Sequence, residues 1–136
     1  MQTSSIKYLG DLRTESTHLK SGKTYITDAP VDNNGKGEAF SPTDLASTSL
    51  GNCAITIMGI SAGKEGIDFA GTELKITKIM SAEPPRKIAK IIVEFDMKSN
   101  VVLTEDQQKR YERLAHSCPV ALSLHPDLVQ EMIFNW

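Results

Sequence analysis

Two cysteines, Cys53 and Cys118, are the residues of this chain whose chemistry could go beyond packing. Cys53 lies deep in Ser41-Pro-Thr-Asp-Leu-Ala-Ser-Thr-Ser-Leu-Gly-Asn-Cys53, a stretch that opens with a helix start signal. Cys118 lies in His116-Ser-Cys-Pro-Val120, where the proline stops the preceding helix. Two thiols set beside a cap and a break point to a redox pair. The competing reading is packing, since free cysteine is among the most buried residue types and Cys53 alone would pass for a small hydrophobe. A metal site built from Cys53, His116 and Cys118 would have only three ligands and no Cys-x-x-Cys pair, which argues against it.

The rest of the composition bounds the function. The chain has 136 residues, enough for one domain spanning 1–136 with its own core, and small enough for oligomerisation to add to that core. Its 15 basic and 17 acidic residues give no reason to expect a nucleic acid or an anionic membrane as partner. No run reaches the roughly 18 consecutive apolar residues of a membrane span. The start, Met-Gln-Thr-Ser-Ser-Ile, lacks the charged-then-apolar order of a secretory signal. The expectation is a cytoplasmic protein, where a transient catalytic disulfide fits better than a permanent structural one.

The thiols must be positioned by a mixed set of elements. Ile6 and Tyr8 alternate with polar residues, residues 12–19 have the pattern of an exposed or edge strand, and Thr24–Thr27 is a third short strand after a Ser21-Gly22-Lys23 turn. Residues 29–40, rich in Gly, Asn and Pro, read as a flexible loop. A helix then opens with Ser41 as N-cap, Pro42 at the first position and Asp44 at the third, and ends at Gly63-Lys-Glu-Gly66. At about 100° per residue, Ala46, Leu50, Cys53, Ile57 and Ile60 share one face. Two strands follow, carrying Leu74, Ile76 and Met80, then Ile91, Val93, Phe95 and Met97, joined at Glu83-Pro-Pro-Arg86 as an antiparallel pair.

A second helix opens at Thr104 with Gln107 completing a capping box, and its apolar stripe is Tyr111, Leu114, Ala115 and Cys118. Pro119 suits the first turn of a new short helix to Leu124, with Cys118 at its N-terminus, where unpaired backbone N–H groups favour a thiolate. The tail from Leu128 to Trp136 reads as a closing strand through Val129, Met132 and Phe134. Cys53 and Cys118 fall 12 and 14 residues past their respective caps, roughly 18 and 21 Å along a helix. Two helices packed side by side with the same polarity would bring the sulfurs to similar heights.

Phe40-Ser-Pro-Thr-Asp-Leu45, then Ser49-Leu-Gly-Asn-Cys53, then Cys118-Pro-Val120 about 65 residues later resembles the OsmC-like family of osmotically inducible and organic hydroperoxide resistance proteins. The order of elements agrees as well, so the resemblance covers nearly the whole chain. It implies an α+β fold, with antiparallel sheets wrapped around two central helices in an intertwined homodimer. It also implies thiol-dependent reduction of organic hydroperoxides with no bound cofactor and an external dithiol as reductant. Cys53 would attack the peroxide and become a sulfenic acid, and Cys118 would condense with it to a disulfide. A thiol on an apolar face is held neutral by desolvation and needs a cation. The family supplies an arginine from the N-terminal strands, and Arg13 in Asp11-Leu-Arg-Thr-Glu15 matches that position; without the family, Arg13 would read as a surface strand charge.

The chain departs from the pattern at one position. Peroxidase members carry a glutamate directly after the helix-opening proline, where it orients the arginine; this chain has Thr43, followed by Asp44. Asp44 is nine residues from Cys53, on the opposite helix face, so it reads as a helix-start acid, while Thr43 occupies the glutamate's side. Either another acid such as Glu15 or Glu38 takes over, or the arginine is held loosely. The alternative to a peroxidase is a non-catalytic dimer of this fold that binds a small lipophilic or electrophilic molecule or senses redox state.

Overall fold

Gly10, Asp11 and Leu12 all take positive φ (84°, 52° and 62°) in the computed structural model, which describes residues 1–136. Asp11 and Leu12 are the two central residues of the turn, the backbone of a tight hairpin whose twist matches that of its strands. It folds β1 (Ser4–Gly10) onto β2 (Arg13–His18), and the turn at Ser21-Gly22 brings β3 (Thr24–Asp28) back on the other side. The sheet order is β1-β2-β3, both pairs antiparallel. The segment read as an exposed or edge strand is therefore the central strand. Two adjacent turns pair it on both sides, a feature its polar sequence does not reveal.

The loop after β3 is not the flexible segment its composition implies. It contains a 3-10 turn at Val31–Asn33, and its backbone is tied by Gly35 N–H to Pro30 O at 2.9 Å, Gly37 N–H to Ala29 O at 3.2 Å and Asp28 N–H to Phe40 O at 3.1 Å. Gly35 has no alternative there, because a Cβ would fall 1.8 Å from the Ala29 carbonyl oxygen. These residues belong to the first of two compact units, Met1–Ala46; the second is Ser47–Trp136.

Helix α1 (Pro42–Gly63) starts in the first unit and supplies a core element of the second. Its buried residues are Ser47, Leu50, Gly51, Ala54, Met58 and Ala62, a stripe rotated from the one expected, and Ile60 is left 56% exposed. Small residues set this face. A Cβ on Gly51 would lie 2.7 Å from Ile76 Cδ1, so the backbone approaches the sheet where it has no side chain to stand it off. By length and composition alone α1 could also cross a bilayer: Ser, Thr, Asn and Gly break up its apolar run, but its mean hydropathy still reaches 1.3.

The sheet of the second unit pairs β4 (Glu73–Met80) antiparallel with β5 (Ile88–Asp96), and β5 parallel with β6 (Val129–Asn135). The closing strand exists, but the sheet is mixed rather than wholly antiparallel. The chain between β5 and β6 runs through α2 (Glu105–His116) and α3 (Pro119–Ser123), so it returns by a helical crossover, which yields a parallel neighbour. Ile91, Val93 and Phe95 are fully buried, and Phe95 stacks on Phe134 with ring centroids 4.4 Å apart. Thr104 and Gln107 form the capping box of α2 in full. Farther along, Arg110 forks onto Glu65 at 2.5 and 2.7 Å, and the buried Tyr111 hydroxyl donates to the same carboxylate at 3.1 Å.

Candidate active site

Cys118 ends up at a helix N-cap because Pro119 cannot continue α2. The helix closes at His116, and the chain restarts with Pro119 at the first position of α3. The Cys118 Sγ accepts the Ala121 N–H at 3.5 Å, and the side chain is fully buried. Burial pushes its thiol above the ordinary 9.0; the Ala121 N–H pulls it down, and the neighbouring Cys53 side chain pushes it up again. The helix-terminus effect expected to make Cys118 a thiolate is thus outweighed by desolvation. Burial favours the neutral thiol at Cys118.

Cys53 is the more accessible of the two. It lies on the partly buried flank of α1, packed at the margin of the core cluster that contains Cys118. Both thiols are free. The two cysteines are therefore brought together within the second unit as side-chain neighbours of unequal accessibility. That arrangement suits a first thiol that meets a reagent and a second that meets only the first. His116 is exposed, with its ring against Phe134 at 6.3 Å. An open recess of about 350 Å³ in the same unit is lined by Met97, Val101, Val102, Leu103, Gln108 and Trp136, and by neither cysteine.

In the first unit, Arg13 is not a loose surface charge. Its Nε and Nη2 donate to Asp28 Oδ1 and Oδ2, both at 2.7 Å, and Nη2 also donates to Glu38 Oε2 at 3.1 Å. The Asp28 side chain is wholly buried, that of Arg13 is 22% exposed and that of Glu38 is 67% exposed. Asp28 Oδ2 also accepts the Glu38 N–H at 3.1 Å, which fastens the loop to the ion pair. The hydrogen bonds from Arg13 hold the Asp28 carboxyl below its ordinary value despite burial, and those to Asp28 and Glu38 raise Arg13 further above its already high one.

Asp28 is the residue that sequence reasoning missed. Glu38 does reach Arg13, as one of the two proposed substitutes for the family's glutamate. Glu15, exposed on β2, is not among the hydrogen-bond partners of Arg13, which are Asp28 and Glu38. A signal for Asp28 was present: a β2–β3 hairpin turning at Ser21-Gly22 that pairs Thr17 with Thr24 must pair Arg13 with Asp28.

Thr43 and Asp44 stand at the start of α1. The Ser41 N–H donates to Asp44 Oδ2 at 3.0 Å and the Asp44 N–H donates to Ser41 Oγ at 3.1 Å, a reciprocal box. Thr43 Oγ1 lies 3.2 Å from Ser41 Oγ. Asp44 is a helix-start acid, as its position implied, and the hydrogen bonds and ion pairs of Arg13 go to Asp28 and Glu38 rather than to Thr43 or Asp44. The weaker candidates, Thr43 and Asp44, do not orient Arg13.

A family profile described as OsmC-like protein matches residues 35–131. Among solved structures, a protein from Psychrobacter arcticus 273-4, provisionally described as an osmotic stress induced and detoxification response protein, is 49% identical. The match covers 99% of this chain and 96% of that one, with a TM-score of 0.94. The organic hydroperoxide resistance protein OsmC from Legionella pneumophila is 14% identical over 100% of this chain and 98% of that one, with a TM-score of 0.75. The organic hydroperoxide resistance protein OhrB of Bacillus subtilis is 13% identical over 98% of both chains, with a TM-score of 0.64. At that identity the last two speak for the fold alone. No curated protein matches.

Proposed function

The chain belongs to the OsmC-like family, and from that premise we propose that it is a thiol-dependent peroxidase that reduces organic hydroperoxides. The observation that supports this best is the pairing of a half-buried Cys53 with a fully buried Cys118 in one packed unit.

In the first step, the Cys53 thiolate attacks the terminal oxygen of the hydroperoxide. The O–O bond breaks, the alkoxide takes a proton and leaves as the alcohol, and Cys53 becomes a sulfenic acid. In the second, the Cys118 sulfur attacks the sulfenic sulfur; an S–S bond forms, and the oxygen leaves as water with the Cys118 proton. An external dithiol then exchanges with the disulfide and restores both thiols. No metal or organic cofactor enters these steps. The family resemblance gives Arg13 the part of the cation that favours the Cys53 thiolate and the departing oxygen. A reducing compartment such as the cytoplasm would keep the resting pair as thiols. Assembly as an intertwined homodimer is part of the same proposal.

Consumption of cumene hydroperoxide with dithiothreitol as reductant tests the proposal. Turnover that disappears in Cys53→Ser is expected, and turnover that survives in that variant would rule out the thiol mechanism.

A second reading is kept because Thr43 stands where peroxidase members have glutamate, with its hydroxyl beside that of Ser41. In it, the fold is a non-catalytic dimer that binds a small lipophilic or electrophilic molecule or senses redox state. One-time modification of Cys53 without dithiol-driven turnover would favour it.

A further inference from the structure

We propose that Glu65, Arg110 and Tyr111 form a clamp that sets the spacing of Cys53 and Cys118, and so governs how fast the Cys53 sulfenic acid is resolved. The inference rests on the peroxidase reading above, and every residue in it belongs to the second unit. Glu65 is fastened to the end of α1. Ile67 N–H donates to Ala62 O at 2.9 Å and Gly66 N–H to Gly63 O at 3.4 Å, with Gly66 at φ 71°, which is a Schellman closure. From there its carboxylate takes the two-point fork of Arg110 and the hydroxyl of Tyr111, neighbouring residues of α2. The Arg110 guanidinium lies 4.9 Å from the centre of the Tyr111 ring, and that ring meets Phe69 edge-on with centroids 5.0 Å apart.

The clamp also fixes the polarity of the helices. Glu65 meets Arg110 while Cys53 neighbours Cys118, so chain order runs in opposite senses along the two contacts. Helices α1 and α2 are therefore antiparallel, not packed with the same polarity as the depths of their cysteines invited. Glu65 lies 12 residues after Cys53 and Arg110 lies 8 before Cys118, roughly 18 and 12 Å of helix, so both thiols stand on the same side of the clamp. Apolar packing alone holds α2 weakly in register, since its buried residues are Tyr111 and Ala115. A two-point fork supplies the direction that a methyl group does not. Over a lever of about 12 Å, a swing of about 5° displaces Cys118 by about 1 Å. Disulfide formation is intolerant of that, because the two sulfurs must meet in one narrow geometry. Attack on a small peroxide is tolerant of it, because the reagent diffuses to Cys53. The clamp acts on the second step and not on the first.

The test compares Glu65→Gln, Arg110→Gln and the double variant, whose replaced side chains are 34% and 39% exposed. Iodoacetamide labelling of Cys53 in the Cys118→Ser background reads the first step. Rising cumene hydroperoxide reads the second in protein with both cysteines. There an unresolved sulfenic acid takes the oxygen of another hydroperoxide, releases its alcohol and becomes a sulfinic acid. Labelling should stay within about twofold of the parent, while the hydroperoxide concentration that converts half of Cys53 to sulfinic acid should fall about tenfold. The double variant should match the more affected single one. A parent-like sulfinic threshold, even beside a lower stability to urea, would overturn the proposal. So would additive losses, or a labelling rate that falls as far as the threshold. In each of those cases the peroxidase reading survives. A parent Cys53 that hydroperoxide leaves untouched would remove that reading, and the role of the clamp with it. If neither single variant folds, Glu65→Asp carries the test: it keeps the charge and draws the fork back by one carbon. A lower threshold is then expected, and a parent-like one would overturn the proposal.

Discussion

Arg13 and Asp28 stand directly opposite each other in the β2–β3 ladder, and the guanidinium closes a two-point fork on the buried carboxylate, both contacts at 2.7 Å. The pair is a consequence of hairpin register, and it makes the first unit sensitive to acid. The Asp28 carboxyl is held below its ordinary 3.8, so the unfolded chain takes up this proton more readily than the folded one. The stability it contributes is present above that ordinary value and is lost as pH falls through the lower folded value. Thermal melts taken downward from about pH 6 should show a steep loss below about pH 4 that is shallower in Asp28→Asn. Equal slopes in the two proteins would contradict it. Glu65, held low by Arg110, adds a loss of the same sign and is common to both curves.

Cys118 should resist alkylation while Cys53 does not. It is fully buried and its thiol is pushed up by burial, so neither access nor ionisation favours it. Timed iodoacetamide labelling of the reduced native protein, read by peptide mass, should give Cys53 label first. Label on Cys118 should become appreciable only as pH rises past the ordinary thiol value of 9.0. Equal rates at neutral pH would count against this.

The rotated face of α1 has a direct stability test. Met58→Ala empties a fully buried position and should cost about 2–5 kcal/mol, whereas Ile60→Ala, at the 56% exposed position that the expected stripe had placed in the core, should cost only about 0.5 kcal/mol. Urea unfolding of the two variants at one protein concentration compares them, and similar costs would mean the face is misassigned.

At the start of α2, Thr104→Ala removes the acceptor for the Gln107 N–H at 3.2 Å and should cost about 0.5–2 kcal/mol. Asp44→Asn at the start of α1 should cost on the order of 0.5–1 kcal/mol with little change in Cys53 reactivity. A large fall in Cys53 reactivity in Asp44→Asn would return Asp44 to the candidate site.

What the sequence made legible was local. Ser41, Asp44, Thr104, Gln107 and Pro119 mark helix ends through contacts a few residues away, and each end falls where those residues place it. The alternation in Ile91, Val93 and Phe95 and the turn between β4 and β5 gave the antiparallel pair in the same way. What stayed hidden depends on partners distant in the chain. The face of α1 follows from how closely Gly51 meets Ile76, and the parallel β6 from the helical crossover. The Cys118 thiol followed its burial, which periodicity could not measure, rather than its helix terminus. Of the candidate residues, the two cysteines were legible from residue type and context and Arg13 only through the family resemblance, while Asp28 follows from the β2–β3 register, which the Ser21-Gly22 turn implies and the polar Arg13–His18 does not advertise.

The proposed homodimer predicts a particle of about twice the 14.9 kDa chain mass that does not dissociate short of unfolding. Light scattering at micromolar concentration checks it, and a folded monomer would contradict it.

The most direct test of the redox pair is intact mass and peptide mapping after one equivalent of cumene hydroperoxide is added to the reduced protein. The expected product has lost two hydrogens, no longer reacts with thiol reagents, and yields one Cys53–Cys118 cross-linked peptide from within a single chain. Cys118→Ser should instead hold Cys53 as sulfenic or sulfinic acid. Two untouched thiols, or an over-oxidised Cys53 beside a free Cys118 in the unaltered protein, would contradict the two-cysteine cycle.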